Sequence, residues 1–395
     1  MRMIGFDEAC QRLQGLAGPL ASETVDLDAA DGRVLAEDVF ARRDSPEHPV
    51  SAMDGYAVTE AELAAGRTEW CVAATVFAGD SVRGPLAPGA CARIFTGAPL
   101  PAGLDRVVPQ ELVQRNADRL VIEPSQLSAR HVRAKGSDFR IGQRLLPRGR
   151  TLDPGALLLA AAADRATLAV VGQPRVAIIS SGDELVPPGQ ELERRGRVPD
   201  SVSFGVASLA RRWGAGEVRR RHARDDLGAL KKAVAEAQDW ADLIVMTGGA
   251  SVGERDFARA AFDRLELIVD KVAMKPGKPV WVGRSAETLV VGLPGNPTAA
   301  MVTARLFLAP VLAMLTGRPA AAAWTWRDAP AVGVFPPAGD REMFVRAHAT
   351  GRGAAACGSQ DSSAQAVMAE WNLLVRRAAG APGAACGDAL RVLEL

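Results

Sequence analysis

The chain has 395 residues, 48% of them hydrophobic and 24% charged, and its net charge is +1. That length exceeds what one hydrophobic core organises and predicts about two to four domains. A near-neutral balance excludes binding driven by general attraction to nucleic acid or to an anionic membrane, so any anion site is local.

Five cysteines, Cys10, Cys71, Cys91, Cys357 and Cys386, are odd in number and widely spaced, with no CxxC pair. They support neither a disulfide framework nor a zinc site and fit a reducing cytoplasm. The opening MRMIGFDEACQRL lacks the apolar stretch of a secretory signal. The most apolar run, 156–171, is broken by Asp164 and Arg165, so a soluble protein is expected. His48, His131, His222 and His348 stand apart from one another, and ordinary surface or core placement is the expectation for each.

In chain order, residues 6–17 predict a short amphipathic helix. Residues 45–135 alternate Gly and Pro punctuation with short Val, Ile and Ala runs, the pattern of a β-rich domain. Residues 153–164 open with Asp153 and Pro154 at the N-cap and first helical positions and continue as strong helix formers. From Arg175 strands and helices alternate: VAIIS, a helix over 201–213, EVRRRHA, a helix over 226–237, DLIVMT, a helix over about 254–265, LIVDKVAM, the short runs VWVG and TLVVG, and a helix over 298–315. Alternation of this kind predicts a parallel sheet covered by helices on both faces. After Thr316 an Ala-rich stretch reads as a linker, and the remainder as a small terminal β-barrel.

Ligands of open α/β sheets bind at the carboxyl ends of the strands. Here those ends carry Asp183 and Glu184, Asp225 and Asp226, the turn TGGASVGERD, and the segment DKVAMKPGKP. Only six lysines stand against forty-one arginines, yet Lys271, Lys275 and Lys278 fall in this one segment, which suggests sites wanting a compact ammonium. Ser251 and Glu254 have capping-box spacing, so the following helix is expected to open its amides toward the rim and to suit phosphate. Alone, the glycine turn is equally an ordinary strand-to-helix turn. Lys271 and Lys275, four apart, are expected on one face, with a lysine-guarded strand edge as the alternative. Glu184, Asp225 and Asp256 are hard oxygen ligands suited to Mg²⁺, while Asp225 could equally be the N-cap of the next helix. SAMDGYA holds the only tyrosine, Tyr56, beside Asp54, and a turn closed by Asp-Gly is the plain account.

Taken together, SAMDGYAV (51–58), ARIFTGAPLP (92–101), GSD (136–138), SGDEL (181–185), DD (225–226), GGASVGERD, MKPGKP and GLPGNP resemble the molybdopterin molybdenumtransferases of molybdenum cofactor synthesis, and the E domain of gephyrin. The resemblance spans about residues 6 to 395 and implies a multidomain α/β and β fold. Its parts are an elongated N-terminal domain (1–44 and 136–172), an inserted β-rich domain (45–135), a molybdopterin-binding parallel-sheet α/β domain (173–319) and a C-terminal β-barrel (320–395). It implies insertion of molybdate into adenylylated molybdopterin with release of AMP, assisted by Mg²⁺.

By the same resemblance Asp54, Asp138, Asp225, Asp256, Lys271 and Lys275 take catalytic roles, and Glu184, Asp225 and Asp256 hold metal. Thr96, Gly248, Gly249, Ser251, Gly253, Lys278, Pro294, Gly295, Asn296, Arg346 and Ser362 bind substrate. A cytoplasmic homodimer with a composite site is implied, serving small-molecule substrates and meeting a molybdopterin adenylyltransferase and molybdoenzymes as possible partners, with no nucleic acid or membrane. Two departures stand out: the family's DSN reads Asp200-Ser201-Val202, and its QGS reads Gln360-Asp361-Ser362. An adenylyltransferase making molybdopterin adenylate from ATP and a catalytically silent scaffold are the competing readings.

Overall fold

The computed structural model describes residues 3–123, 129–190, 196–248 and 257–395. The chain divides into two compact units, one of residues 1–24, 32–36 and 169–395 and one of residues 25–31 and 37–168.

In the second unit a six-stranded sheet runs in the order Arg106–Pro109, Gly55–Val58, Ala90–Ile94, Glu69–Val76, Arg119–Ile122 and Val113–Asn116. Alternation along these strands buries Tyr56, Val58, Trp70, Cys91, Leu120 and Ile122 together on one side. Burial pushes the Cys91 thiol up to about 12, so it behaves as an apolar group. The helix Pro154–Ala162 forms as its sequence predicts, with the Asp153 carboxylate accepting from the Ala156 N–H at 2.8 Å.

The first unit is built on a six-stranded sheet in the order Val218–Ala223, Val176–Ser181, Leu243–Thr247, Thr288–Leu293, Trp281–Ser285 and Leu265–Asp270. The first four strands are mutually parallel, as expected. The last two depart from that expectation. A two-residue turn with Ala286 at φ 52° joins Trp281–Ser285 to Thr288–Leu293 as an antiparallel hairpin, and Leu265–Asp270 is antiparallel to the former. Two successive reversals restore the direction of Leu265–Asp270, so its carboxyl end lies on the same rim as those of the parallel strands.

Helix Val202–Arg212 packs on one face of the sheet and Leu227–Gln238 on the other. The run Pro297–Leu315 is apolar enough in length and composition to cross a membrane, yet it is 94% buried as a core helix. It contains a π-helical stretch, Ala304–Leu308. The segment expected to be a linker is instead the 3₁₀ turn Ala320–Trp324, with Ala320 and Ala323 buried. The Trp324 indole donates to the Leu306 carbonyl at 2.9 Å, filling an acceptor within the π-helical stretch.

A third expectation also fails. Over the described residues 257–264 the chain makes turns rather than the helix predicted for 254–265. The apolar spacing that reads as helical is taken up by tertiary packing, with Phe262 edge-on to Trp281 and Arg259 paired to Asp270 at 2.6 Å.

Strands Arg327–Val332, Glu342–Thr350, Gly353–Ala356, Leu373–Arg377 and Ala389–Glu394 close into a barrel, because Glu342–Thr350 pairs with both Gly353–Ala356 and Leu373–Arg377. Met274–Lys275 adds to its edge beside Glu342–Thr350.

Candidate functional site

Four carboxyl ends of the α/β sheet open on a cleft of about 670 Å³. Ser181 ends the 176–181 strand and Glu184 follows it, Asp225 follows 218–223, Thr247 ends 243–247 with Gly248 next, and Pro294, Gly295 and Asn296 follow 288–293. Lys271, delivered by the 265–270 strand, and Lys278 complete the wall.

The two acids at 225 and 226 are distinguished by their hydrogen bonds. Asp226 is the N-cap of Leu227–Gln238, accepting from the Ala229 N–H at 2.8 Å. Asp225 is therefore not the cap. The Ser181 hydroxyl donates to its Oδ1, its own N–H donates to Asp183 Oδ1 at 3.3 Å, and its side chain lines the cleft. Gly248, at φ 84°, permits the closest approach between strand ends: a Cβ there would lie 2.3 Å from the Ser181 carbonyl oxygen.

Behind this wall runs a chain of polar groups that the sequence reading did not assign. Thr247 Oγ1 donates to Ser180 Oγ at 3.2 Å, Ser180 Oγ donates to Asp200 Oδ2 at 2.9 Å, and Asp200 Oδ1 accepts from the Ser203 N–H at 3.1 Å. Asp200, Ser201 and Val202 all line the cleft. An acid three residues before a helical N–H was the available signal.

Lys271 and Lys275 do not share one strand face, contrary to expectation. Lys271 has φ 57°, which interrupts the extended chain, and Lys275 belongs to the short strand on the barrel edge. The structure pairs Lys271 with Lys278 across the loop base, where Val272 N–H donates to the Lys278 carbonyl at 3.0 Å.

Lys275 instead acts electrostatically on Asp361, at a second cluster around the start of the 297–315 run. There Asn296 Nδ2 donates to Ser362 Oγ at 3.0 Å, and Thr298 Oγ1 donates to the Ser362 carbonyl at 2.8 Å. Arg346 is fully buried, donating to Thr298 Oγ1 at 3.0 Å and to the carbonyls of Ser359 and Asp361 at 3.2 and 3.1 Å. Its Nε has no partner among the described residues, and burial lowers its pKa. With no exposed surface, Arg346 reaches a ligand only if the 359–362 turn opens.

Asp361, where the resemblance implies a glycine, folds onto its own turn, accepting from the N–H and hydroxyl of Ser363 at 2.8 and 2.6 Å. Those bonds, with Arg346 and Lys275 nearby, hold its carboxyl below the usual range.

In the other unit Asp54 Oδ1 accepts from both the N–H and the hydroxyl of Thr96, each at 2.8 Å, and these bonds depress its pKa. Asp138 Oδ2 accepts from the Ser45 hydroxyl at 3.4 Å. Tyr56 is buried, its hydroxyl receiving Arg115 at 3.4 Å, which makes it a packing residue. Gly249, Ser251, Gly253, Glu254 and Asp256 lie outside the described residues.

A domain with anion-suited groups at the carboxyl rim of a doubly covered sheet, followed by a β-barrel, defines a molybdopterin-binding class once the comparisons are added. Residues 177–314 match the family model described as a probable molybdopterin binding domain, and residues 4–163 match the MoeA N-terminal region (domain I and II). The chain is 36% identical over 305 residues to the molybdopterin molybdenumtransferase of Nostoc sp., covering 75% of this chain and 70% of that protein. It is 34% identical over 323 residues to that of Haemophilus influenzae, covering 80% and 78%. The crystal structure of the molybdopterin biosynthesis MoeA protein from Pyrococcus horikoshii superposes with a TM-score of 0.84 at 26% identity, over 100% of this chain and 99% of that one. The chain belongs to the molybdopterin molybdenumtransferase family of molybdenum cofactor biosynthesis.

Proposed function

We propose that the cleft takes molybdopterin as its adenylate together with molybdate, places molybdenum on the dithiolene and releases AMP. One observation carries the reading: two carboxylates, Glu184 and Asp225, and two ammonium groups, Lys271 and Lys278, face one cleft beside Gly248. None of the four is in an ion pair among the described residues.

The donor set fits Mg²⁺. Among the described residues no group of three or more acids, histidines or cysteines forms a closed cage. Two carboxylates suit an ion that keeps its waters and shares its remaining sites with substrate phosphates. Bound there, Mg²⁺ supplies charge neutralisation and polarisation of the pyrophosphate. Ser181 orients Asp225 for that purpose, and Asp256 adds a third acid.

Lys271 and Lys278 stabilise charge on the phosphate chain and the departing AMP. Lys275, Ser362 and Asn296, with Arg346 behind them, hold molybdate oxygens. Gly248, Gly249, Ser251, Gly253, Pro294 and Gly295 shape the nucleotide side of the nucleotide and pterin pocket. No covalent nucleophile is required.

Asp54, Thr96 and Asp138 belong to the reading as functional positions on the side of the inserted domain, acting in a cytoplasmic homodimer whose site two copies share. A molybdopterin adenylyltransferase upstream and molybdoenzymes downstream are its partners. The four-domain division, with breaks after residues 44, 135, 172 and 319, is part of the same proposal.

Incubation of the purified chain with molybdopterin adenylate, Mg²⁺ and molybdate separates the alternatives. Release of AMP that requires molybdate supports the transferase. Formation of molybdopterin adenylate from ATP and molybdopterin without such release supports the adenylyltransferase, and inactivity in both assays supports the scaffold.

A further inference from the structure

A second cleft of about 660 Å³ adjoins the first and shares Ser201, Val202 and Pro297 with it. Helix Val202–Arg212, the start of the 297–315 run and the segment 365–371 enclose it. Its walls carry Trp213, Trp371, Met301 and Met368, together with the guanidinium groups of Arg212 and Arg318. Gly205 lets the two helices close the floor: a Cβ there would lie 2.7 Å from Met301 Sδ.

No Asp or Glu among the described residues lines this cleft. Arg318 spends its donors on the Trp213 carbonyl at 2.7 Å and on Thr316 Oγ1 at 3.2 and 3.1 Å, with no carboxylate. Arg318 and Arg305 each lie over the Trp213 ring at 5.1 Å from its centroid. The cleft thus combines aromatic and thioether surface with two arginines and no Asp or Glu side chain among the described residues. Such a lining suits a heterocyclic ring that packs on the indole and thioether groups and presents hydrogen-bond acceptors to the arginines.

We propose that this second cleft receives the pterin ring of the substrate whose phosphates lie in the first, a step that rests on the function proposed above. The two clefts lie side by side, with Ser201, Val202 and Pro297 lining both. Val202, an apolar residue where the resemblance implies an amide, forms part of that common wall. Ser201 Oγ donates to Gln365 Oε1 at 2.8 Å and fixes the junction. Pterin is assigned here because its lactam oxygen gives the Arg212 guanidinium a carbonyl acceptor, whereas adenine offers ring nitrogens alone.

Ser208 lines the cleft and is exposed, so Ser208→Trp fills the space without entering the core. With molybdopterin adenylate as probe, the variant should raise KM about tenfold or more while kcat at saturation stays within about twofold, the pattern of lost binding rather than lost chemistry. Its affinity for AMP alone should equal that of the parent. Arg212→Ala should move KM in the same direction, and Arg212→Lys should restore only part of the loss. A KM unchanged in both Ser208→Trp and Arg212→Ala overturns the inference alone. A matching loss of AMP affinity overturns it by placing adenine there. A parent chain that binds no molybdopterin adenylate overturns the proposed function and this inference with it.

Discussion

Adjacent aspartates at the end of the 218–223 strand serve different purposes. Asp226 satisfies a helical N–H, which leaves Asp225 facing the cleft with Ser181 as its anchor. From the sequence these roles were interchangeable, since either acid can precede a helix; the backbone path after Ala223 decides between them. Ser181→Ala removes the anchor but not the acid. A hydrogen bond to a charged group contributes about 1.5–3 kcal/mol, so the Mg²⁺ concentration for half-maximal AMP release should rise about tenfold or more. An unchanged Mg²⁺ titration would reduce that bond to local packing.

Asp54 makes a residue-scale case in the other unit. Its folded pKa is depressed by the Thr96 N–H and hydroxyl, so the associated stability is present above the unfolded carboxyl pKa and disappears as pH falls through the lower folded value. Thr96→Val keeps the N–H and deletes the hydroxyl. Its Asp54 carboxyl should titrate at higher pH by NMR, and acid unfolding should begin at higher pH. An identical titration in parent and variant would mean that the hydroxyl contributes nothing.

At the scale of elements, the strand ends are held together by close backbone approach, with Gly248 at the tightest point. Gly248→Ala meets both an unfavourable φ and the Ser181 carbonyl, at a cost of about 2–3 kcal/mol, or a melting temperature lower by about 5 °C. A melting curve that superimposes on the parent's would show that the turn relaxes freely.

Most of the sheet was legible because its buried strands are β-branched runs bounded by turn residues. What the sequence misread has local causes. The 257–264 segment keeps helical apolar spacing but is pinned by Trp281 and Asp270. The Ala-rich 320–324 segment looks solvent-facing until Trp324 is seen filling the Leu306 carbonyl. Lys271 at φ 57° breaks a four-residue spacing that only a regular strand preserves.

For the whole molecule, pooled motifs identified the family where single spacings left alternatives open, because eight short motifs constrain the chain jointly. The proposed sharing of one site by two copies has a direct consequence. Asp54→Ala mixed and refolded with Asp225→Ala, each inactive alone, should recover up to about a quarter of parental activity, since random pairing leaves one intact site in each heterodimer. Demonstrated heterodimers without activity would place both residues in the site of a single chain.

Molybdenum transfer is proposed at the carboxyl rim of the α/β sheet. Its most direct measurement is AMP release from molybdopterin adenylate with Mg²⁺, with and without molybdate, by the parent and by Asp225→Ala matched for melting temperature. Molybdate-dependent release by the parent is expected, with a loss of about a hundredfold or more in the variant, the scale on which one charge-stabilising group acts. Equal release by a folded Asp225→Ala protein, or release by the parent indifferent to molybdate, would contradict it.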